Sequence, residues 1–135
     1  MDFEDTLKIS SSGMAAQSLR LRTIAENLAN ADSTSTSAAG DPYRRKVITF
    51  KNVLDKASGV GTVQVGRVAQ DASPFEMRYM PGHPAADANG YVKMPNVNTM
   101  VEIADMREAQ RSYEANVDVI DIAKNMLSNA MNILR

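Results

Sequence analysis

A chain of 135 residues has room for one domain, or for one small domain carrying extended helices. It is 44% hydrophobic but only 5% aromatic and has no tryptophan, so any core must be built from Met, Val, Ile, Leu and Ala. A net charge of -1 supplies no large field for nucleic acid or an anionic membrane, and the lack of cysteine excludes disulfides, thiol catalysis and cysteine-ligated metal sites.

The first residues, Met1 to Asp5, are acidic and hold no continuous apolar run, which is not the pattern of a Sec signal peptide. No segment approaches the roughly 20 apolar residues of a membrane span. A soluble protein is expected, and if it leaves the cytoplasm it uses another route.

From about Phe3 to Ala31 the pattern is helical. Leu7, Met14, Leu21 and Leu28 recur at heptad spacing, with Ile24 and Ala31 at the intermediate position. Ser10 and Gln17 occupy that position earlier, so the seam weakens toward the N-terminus. The run Ser10 to Gly13 costs helix propensity, and the segment before Met14 is expected to fray or bend in the isolated protein. Arg22 and Glu26 can pair at i,i+4 on the surface, and Leu19 suggests a second contact face.

Ala31 to Pro42 is a loop of small and hydroxylated residues. Tyr43 to Phe50 reads as a strand around Arg44, Arg45 and Lys46. Val53 to Ala57 reads as a short helical turn broken by Gly59 and Gly61, and Thr62 to Val68 alternates as a second strand. After a turn over Gln70 to Pro74, Phe75 to Met80 is a third strand candidate. Turns at Pro81 to Pro84 and at Asn89-Gly90 precede a short extended piece, Tyr91-Val92. Pro95 to Asn98 then leads into a helix, with Asn98 or Thr99 as N-cap and Glu102 in the first turn.

That last helix, Thr99 to Arg135, would run roughly 50 Å. Its heptad seam is Met106, Ala109, Tyr113, Ile120, Ala123, Leu127, Ala130 and Leu134, interrupted by Asn116. The stripe is narrow as far as Tyr113. From Val117 it broadens to take in Val117, Val119, Ile122, Met126, Met131 and Ile133, leaving one polar strip from Asp118 to Asn132. A helix apolar over most of its circumference expects several partners, and this chain supplies only one other long helix. Asn116 on the seam is read as a register-setting amide. The resulting fold class is α+β: N- and C-terminal helices (1–31 and 99–135) in an antiparallel coiled-coil pair, with a small loop and β-rich insert (32–98) between them.

Sites for chemistry are scarce. His83 is the only histidine, and in Pro-Gly-His-Pro it reads as a loop residue. Ala85 to Gly90 has a superficial likeness to a calcium loop, but Ala85 stands where the first acidic ligand belongs and Asn96 where a glutamate belongs. Arg44, Arg45 and Lys46 read as a solvated strand face or a patch for an acidic protein neighbour, with no aromatic platform for single strands. No catalytic group, cofactor or metal is expected.

Several stretches resemble a known family. Leu21 to Ala31 (LRTIAENLANA) is similar to the N-terminal signature of the flagellar axial proteins, the rod and hook family. Asp41-Pro42-Tyr43-Arg44, Pro81 to Ala85 (PGHPA), Asp87 to Asn98 (DANGYVKMPNVN) and Arg111 to Asn116 (RSYEAN) resemble the proximal-rod branch, the GYVKMPNVN run being the most specific. Lys51 to Ala72 carries no such motif.

The resemblance implies a structural role in the flagellar basal body. Members are exported unfolded by the flagellar type III apparatus without a cleaved signal. They polymerise in the periplasm through their terminal helices into a torque-transmitting rod. It implies as partners other rod proteins, copies of the same chain, and the membrane-ring and rod-adaptor proteins at the rod base. Leu21, Ile24, Asn27, Leu28, Asn30, Arg111, Tyr113, Asn116, Val117, Ile120, Leu127 and Leu134 carry over as an assembly surface. Asp41, Pro42, Tyr43, Gly90, Tyr91, Pro95, Asn96 and Asn98 carry over as loop contacts. The other readings of the residues are a cytoplasmic coiled-coil adaptor or export chaperone, and an enzyme with an unrecognised site.

Overall fold

The computed structural model describes residues 3–56 and 59–133. Its elements in chain order are α1 (Phe3–Ala29), β1 (Lys46–Asp55), β2 (Val60–Gln70), β3 (Glu76–Tyr79), β4 (Tyr91–Met94) and α2 (Thr99–Ile133). The strands form two separate two-stranded sheets, β1 with β2 and β3 with β4. The chain divides into two compact units. The second is Arg22–Ile48 with Val68–Met106; the first takes α1 up to Leu21, Thr49–Arg67 and α2 from Arg107.

In the first unit, α1 carries Glu4 and Asp5 in its first turn, where carboxylates suit the positive end of the helix dipole. It runs unbroken through Ser10 to Gly13, where a bend was expected. Close neighbours account for the difference. Ser10 is buried. The Ser12 hydroxyl donates to the Ile9 carbonyl at 2.8 Å and accepts from the Val63 amide of β2 at 3.3 Å. A Cβ at Gly13 would lie 3.0 Å from Asn116 Oδ1 on α2. Of the residues that cost propensity, Ser12 and Gly13 are the ones that β2 and α2 approach.

Strand β1 continues through Val53 to Asp55, where a helical turn over Val53 to Ala57 was expected; Ala57 lies outside the described residues. Pairing with β2 gives that backbone its partners: the Thr62 hydroxyl donates to the Val53 carbonyl at 3.1 Å. Farther along the hairpin the Thr49 hydroxyl donates to the Arg67 carbonyl at 3.1 Å and accepts from the Arg67 amide at 3.2 Å. Gly59, at φ +69°, donates its amide to the Asp55 carbonyl at 2.7 Å, a left-handed position suited to glycine.

In the second unit β3 and β4 pair antiparallel, from Glu76 opposite Met94 to Tyr79 opposite Tyr91. Side chains alternate along β4, so Val92 and Met94 point inward and pack with Ala85, Met80 and Ala86. The connection is closed by the Asp87 carboxylate, which accepts from the Asn89 and Tyr91 amides at 2.8 and 2.9 Å. This is the turn expected in place of a calcium loop. Tyr79 and Tyr91 meet edge to face with centroids 5.3 Å apart.

Asn98 caps α2: its Oδ1 accepts from the Met100 and Val101 amides at 3.0 and 3.3 Å. Buried or half-buried positions follow the heptad through Glu102, Met106, Ala109, Tyr113, Asn116, Ile120 and Ala123, with half-buried Val117 beside it. From Lys124 to Ile133 every position is exposed. Among the described residues, no helix is long and apolar enough to cross a membrane.

Candidate functional site

The densest polar construction lies in the second unit, around Glu102 in the first turn of α2. Its side chain is fully buried, as is that of Asn27 near the end of α1. Glu102 Oε1 accepts from Arg45 Nε at 2.6 Å, and Oε2 accepts from Asn27 Nδ2 at 3.1 Å. Asn27 treats Lys46 as a strand neighbour would. Its Oδ1 accepts from the Lys46 amide and its Nδ2 donates to the Lys46 carbonyl, both at 2.9 Å, and Tyr43 Oη donates to Oδ1 at 2.8 Å. The end of α1, the entry to β1 and the start of α2 are thus joined by one side-chain amide.

Arg45 extends the network to Asp105 at 3.4 Å and Asp71 at 3.7 Å. Its backbone amide donates to Asn96 Oδ1 at 2.8 Å, and Asn96 Nδ2 reaches the Asp71 and Ser73 carbonyls at 3.2 Å. Lys46 pairs with Glu26, the residue expected to pair with Arg22. Arg44 lies 4.2 Å from the Phe75 ring centroid and donates to the Asp71 and Ser73 carbonyls. The basic triplet expected on a solvated face, or facing a partner, is therefore engaged within its own unit.

The titration of these groups follows from their neighbours. Burial by itself would lower the Arg45 pKa, but the hydrogen bond and charge of Glu102, with Asp105 and Asp71, raise it. The Ser73 hydroxyl and amide, ahead of the Arg45 charge, hold Asp71 below the usual carboxylate range. Tyr43 is pushed up to about 12 by burial, then by the negative charges of Glu26 and Glu102.

The proposed interface residues fall into distinct settings. Asn27, Tyr43 and Asn96 meet in this network. Ile24 and Asn27 are buried, while Leu21, Leu28 and Asn30 are half-buried. Asn30 closes α1, its Nδ2 donating to the Glu26 carbonyl at 2.8 Å. Asp41 pairs with Lys93 at 3.1 Å, Pro42 and Pro95 are buried, and Gly90 adopts φ +83° beside Tyr91. On α2, Arg111 and Leu127 are exposed, whereas Tyr113, Asn116, Val117 and Ile120 are half-buried. Leu134 lies outside the described residues. His83 accepts the Ala85 amide on Nδ1 at 3.1 Å and lies 3.3 Å from the Thr34 hydroxyl, a loop-packing role.

Sequence reasoning missed Glu102 as the hub. A signal was available: stepping back by heptads from Ala123 through Asn116 and Ala109 lands on Glu102, a carboxylate on a seam with a basic triplet elsewhere in the chain.

A second feature lies in the first unit. Along α2 large apolar side chains face solvent, among them Ile122, Met126 (67% exposed), Met131 and Ile133 (85%). Phe3 and Thr6 of α1 line a cleft of about 310 Å³ with Val119, Ile122, Ala123 and Met126.

Both ends of the chain match known families. Residues 7–35 match the family described as flagella basal body rod protein, and residues 88–133 match the C-terminal region of the flagellar basal body rod FlgEFG proteins. The chain is therefore a member of the flagellar basal-body rod class. It is 50% identical to the flagellar basal-body rod protein FlgC of Agrobacterium fabrum over 95% of its own length and 92% of the relative's. It is 43% identical to FlgC of Salmonella typhimurium (93% and 92% covered) and 36% identical to FlgC of Bacillus subtilis (95% of each). Within that class the chain belongs to the FlgC family.

Proposed function

We propose that the chain is a non-enzymatic structural subunit of the proximal rod of the bacterial flagellum. Type III export delivers it unfolded, without a cleaved signal, and it polymerises in the periplasm to transmit torque. Its neighbours are other rod proteins, copies of itself, and the membrane-ring and rod-adaptor proteins at the rod base. Support comes from FlgC family membership along nearly the whole chain. The observation that carries the assembly role is the run of exposed apolar side chains on α2 from Ile122 to Ile133, an area a solitary soluble protein rarely leaves open.

In this reading the terminal segments 1–31 and 99–135 form the inner domain as an antiparallel coiled-coil pair, and 32–98 is the outer insert. Leu21, Leu28, Arg111, Val117, Ile120 and Leu127 act as direct assembly contacts. Asn27 acts through Glu102 and Lys46 by fixing the helix that presents those contacts, and Asn116 sets register against Gly13. Tyr91 and Asp41 belong to the outer contacts.

Deletion in a flagellated host is the test. Loss of motility with no rod or hook outside the inner membrane is expected, with the tagged chain recovered in purified basal bodies. A chain that stays in the cytoplasm and never enters basal bodies would instead be the adaptor or chaperone.

A further inference from the structure

Asn89 is the one asparagine of the chain that is followed by glycine. That pair has a chemistry of its own. The Gly90 amide nitrogen, once deprotonated, can attack the Asn89 side-chain carbon Cγ and close a succinimide ring. The new C–N bond forms as the C–N bond of the side-chain amide breaks. Its nitrogen leaves as ammonia, carrying the proton that Gly90 gave up. Water then opens the ring at either carbonyl and leaves aspartate or isoaspartate. A side chain on the following residue hinders the attack, and every other asparagine here precedes a residue that has one. Asn89 is exposed, so water reaches it.

The folded turn holds the attacking nitrogen away from this reaction. The Gly90 amide donates to the Asp87 carbonyl at 3.0 Å, and the Gly90 carbonyl accepts from the Met80 amide at 2.8 Å. Asp87 Oδ1 accepts from the amides of Asn89 and Tyr91 at 2.8 and 2.9 Å, and the Asp87 amide donates to the Tyr91 carbonyl at 2.9 Å. Gly90 is buried at φ +83°, where a Cβ would lie 2.9 Å from Tyr79 Cε2 and 3.1 Å from Pro81 Cβ. Ring closure must rotate the planar Asn89–Gly90 peptide as a unit. That takes the Gly90 amide off Asp87 and moves Gly90 within a space that has no slack. We infer that Asn89 is a spontaneous deamidation site gated by folding, open in the unfolded chain and locked by the Asp87–Tyr91 turn once β3 and β4 pair. The gate also sorts the products. Isoaspartate routes the backbone through the side chain and adds a methylene to the turn, so a chain converted before folding cannot close it with Gly90 in this position.

The test follows the full purified chain at mildly alkaline pH, in native buffer and in denaturing urea. A short peptide spanning Asp87 to Lys93 is held in the same two solutions and gives the ungated rate. Conversion at Asn89 is read by peptide mass spectrometry, and isoaspartate by labelling with an isoaspartyl methyltransferase. The native chain is expected to convert about tenfold or more slowly than the chain in urea and the peptide, because the turn must open first. Asp87→Ala removes the acceptor shared by the Asn89 and Tyr91 amides and should speed the native rate about tenfold. Asp87→Asn keeps an acceptor oxygen there and should stay within about twofold of the parent chain. Comparison of the native chain with the peptide needs no variant, so it decides the matter even where Asp87→Ala loses the fold. A native chain that converts as fast as the peptide overturns the inference. So does conversion in urea that is no faster at Asn89 than at the other asparagines.

Discussion

Asn27 Nδ2 lies 3.1 Å from Glu102 Oε2, joining two residues that are both fully buried and 75 positions apart in the chain. The amide reads the Lys46 backbone with one donor and one acceptor while it steadies the carboxylate with its other donor hydrogen. Replacing it by aspartate keeps the shape, removes both donor bonds and sets a second negative charge against Glu102. Asn27→Asp is expected to cost about 3 kcal/mol or more, and Asn27→Ala less, in urea unfolding of the purified chain. Equal costs would mean that the Glu102 contact contributes little.

The Arg45–Glu102 pair predicts an order of effects. Arg45→Met leaves Glu102 buried without its cation, a loss of about 3–5 kcal/mol. Glu102→Gln keeps an acceptor for Asn27, and Arg45 retains Asp71 and Asp105, so it should cost only about 1–2 kcal/mol. Unfolding midpoints of the two variants check this, and the reverse order would remove Arg45 from the centre of the network.

Gly13 and Asn116 form a coupled pair. A methyl group at position 13 would lie 3.0 Å from Asn116 Oδ1 and 3.1 Å from Nδ2, tight enough to push on an amide anchored to Ser112. Gly13→Ala alone should therefore forfeit the roughly 1 kcal/mol that alanine otherwise brings to a helix interior. Combined with Asn116→Ala it should recover that gain, giving a coupling of about 1 kcal/mol in a double-mutant cycle. Simple additivity would show that the two residues do not press on each other.

Tyr43 gives a pH signature. Its pKa is raised from 10.0 in the unfolded chain to about 12 when folded. The unfolded chain therefore releases the tyrosine proton first as pH rises. The associated stability is complete below pH 10 and is lost as pH climbs toward 12. Tyr43→Phe should flatten that part of the stability profile while losing about 1 kcal/mol at neutral pH with the bond to Asn27. A profile unchanged by the substitution would place the alkaline loss in other groups.

At Leu127, 45% exposed, a charge separates folding from assembly. Leu127→Asp should shift the stability of the isolated chain by less than about 0.5 kcal/mol and should abolish rod assembly and motility. Normal rods built from this variant would confine α2 to an internal role. Ile120→Asp is expected to block assembly too, with an added cost to folding because that position is half-buried.

Local patterning made much of this architecture legible. The helix boundaries, the Asn98 cap, the Asn89-Gly90 turn and the exposed end of α2 follow from heptad spacing and turn chemistry, which depend on neighbours in sequence. Three local readings failed for a shared reason. Ser10 to Gly13 stays helical because Val63 and Asn116 approach it. Val53 to Asp55 is strand because β2 supplies its partners. Arg45 and Lys46 turn inward because Glu102 and Glu26 await them.

The sequence alone determined that this protein has two long helices, one near each end, that the second carries a broad apolar stripe beyond Val117, and, through its motifs, the family to which it belongs. Only the tertiary structure decided which face of each helix is used and that Glu102 is the buried hub. It also decided that Asn27 serves three elements and that Gln17 Oε1 is buried with no hydrogen-bond partner among the described residues. Periodicity records how often a side chain returns to one face. Which charges and amides meet there depends on residues brought together from distant parts of the chain, and no local pattern encodes that pairing.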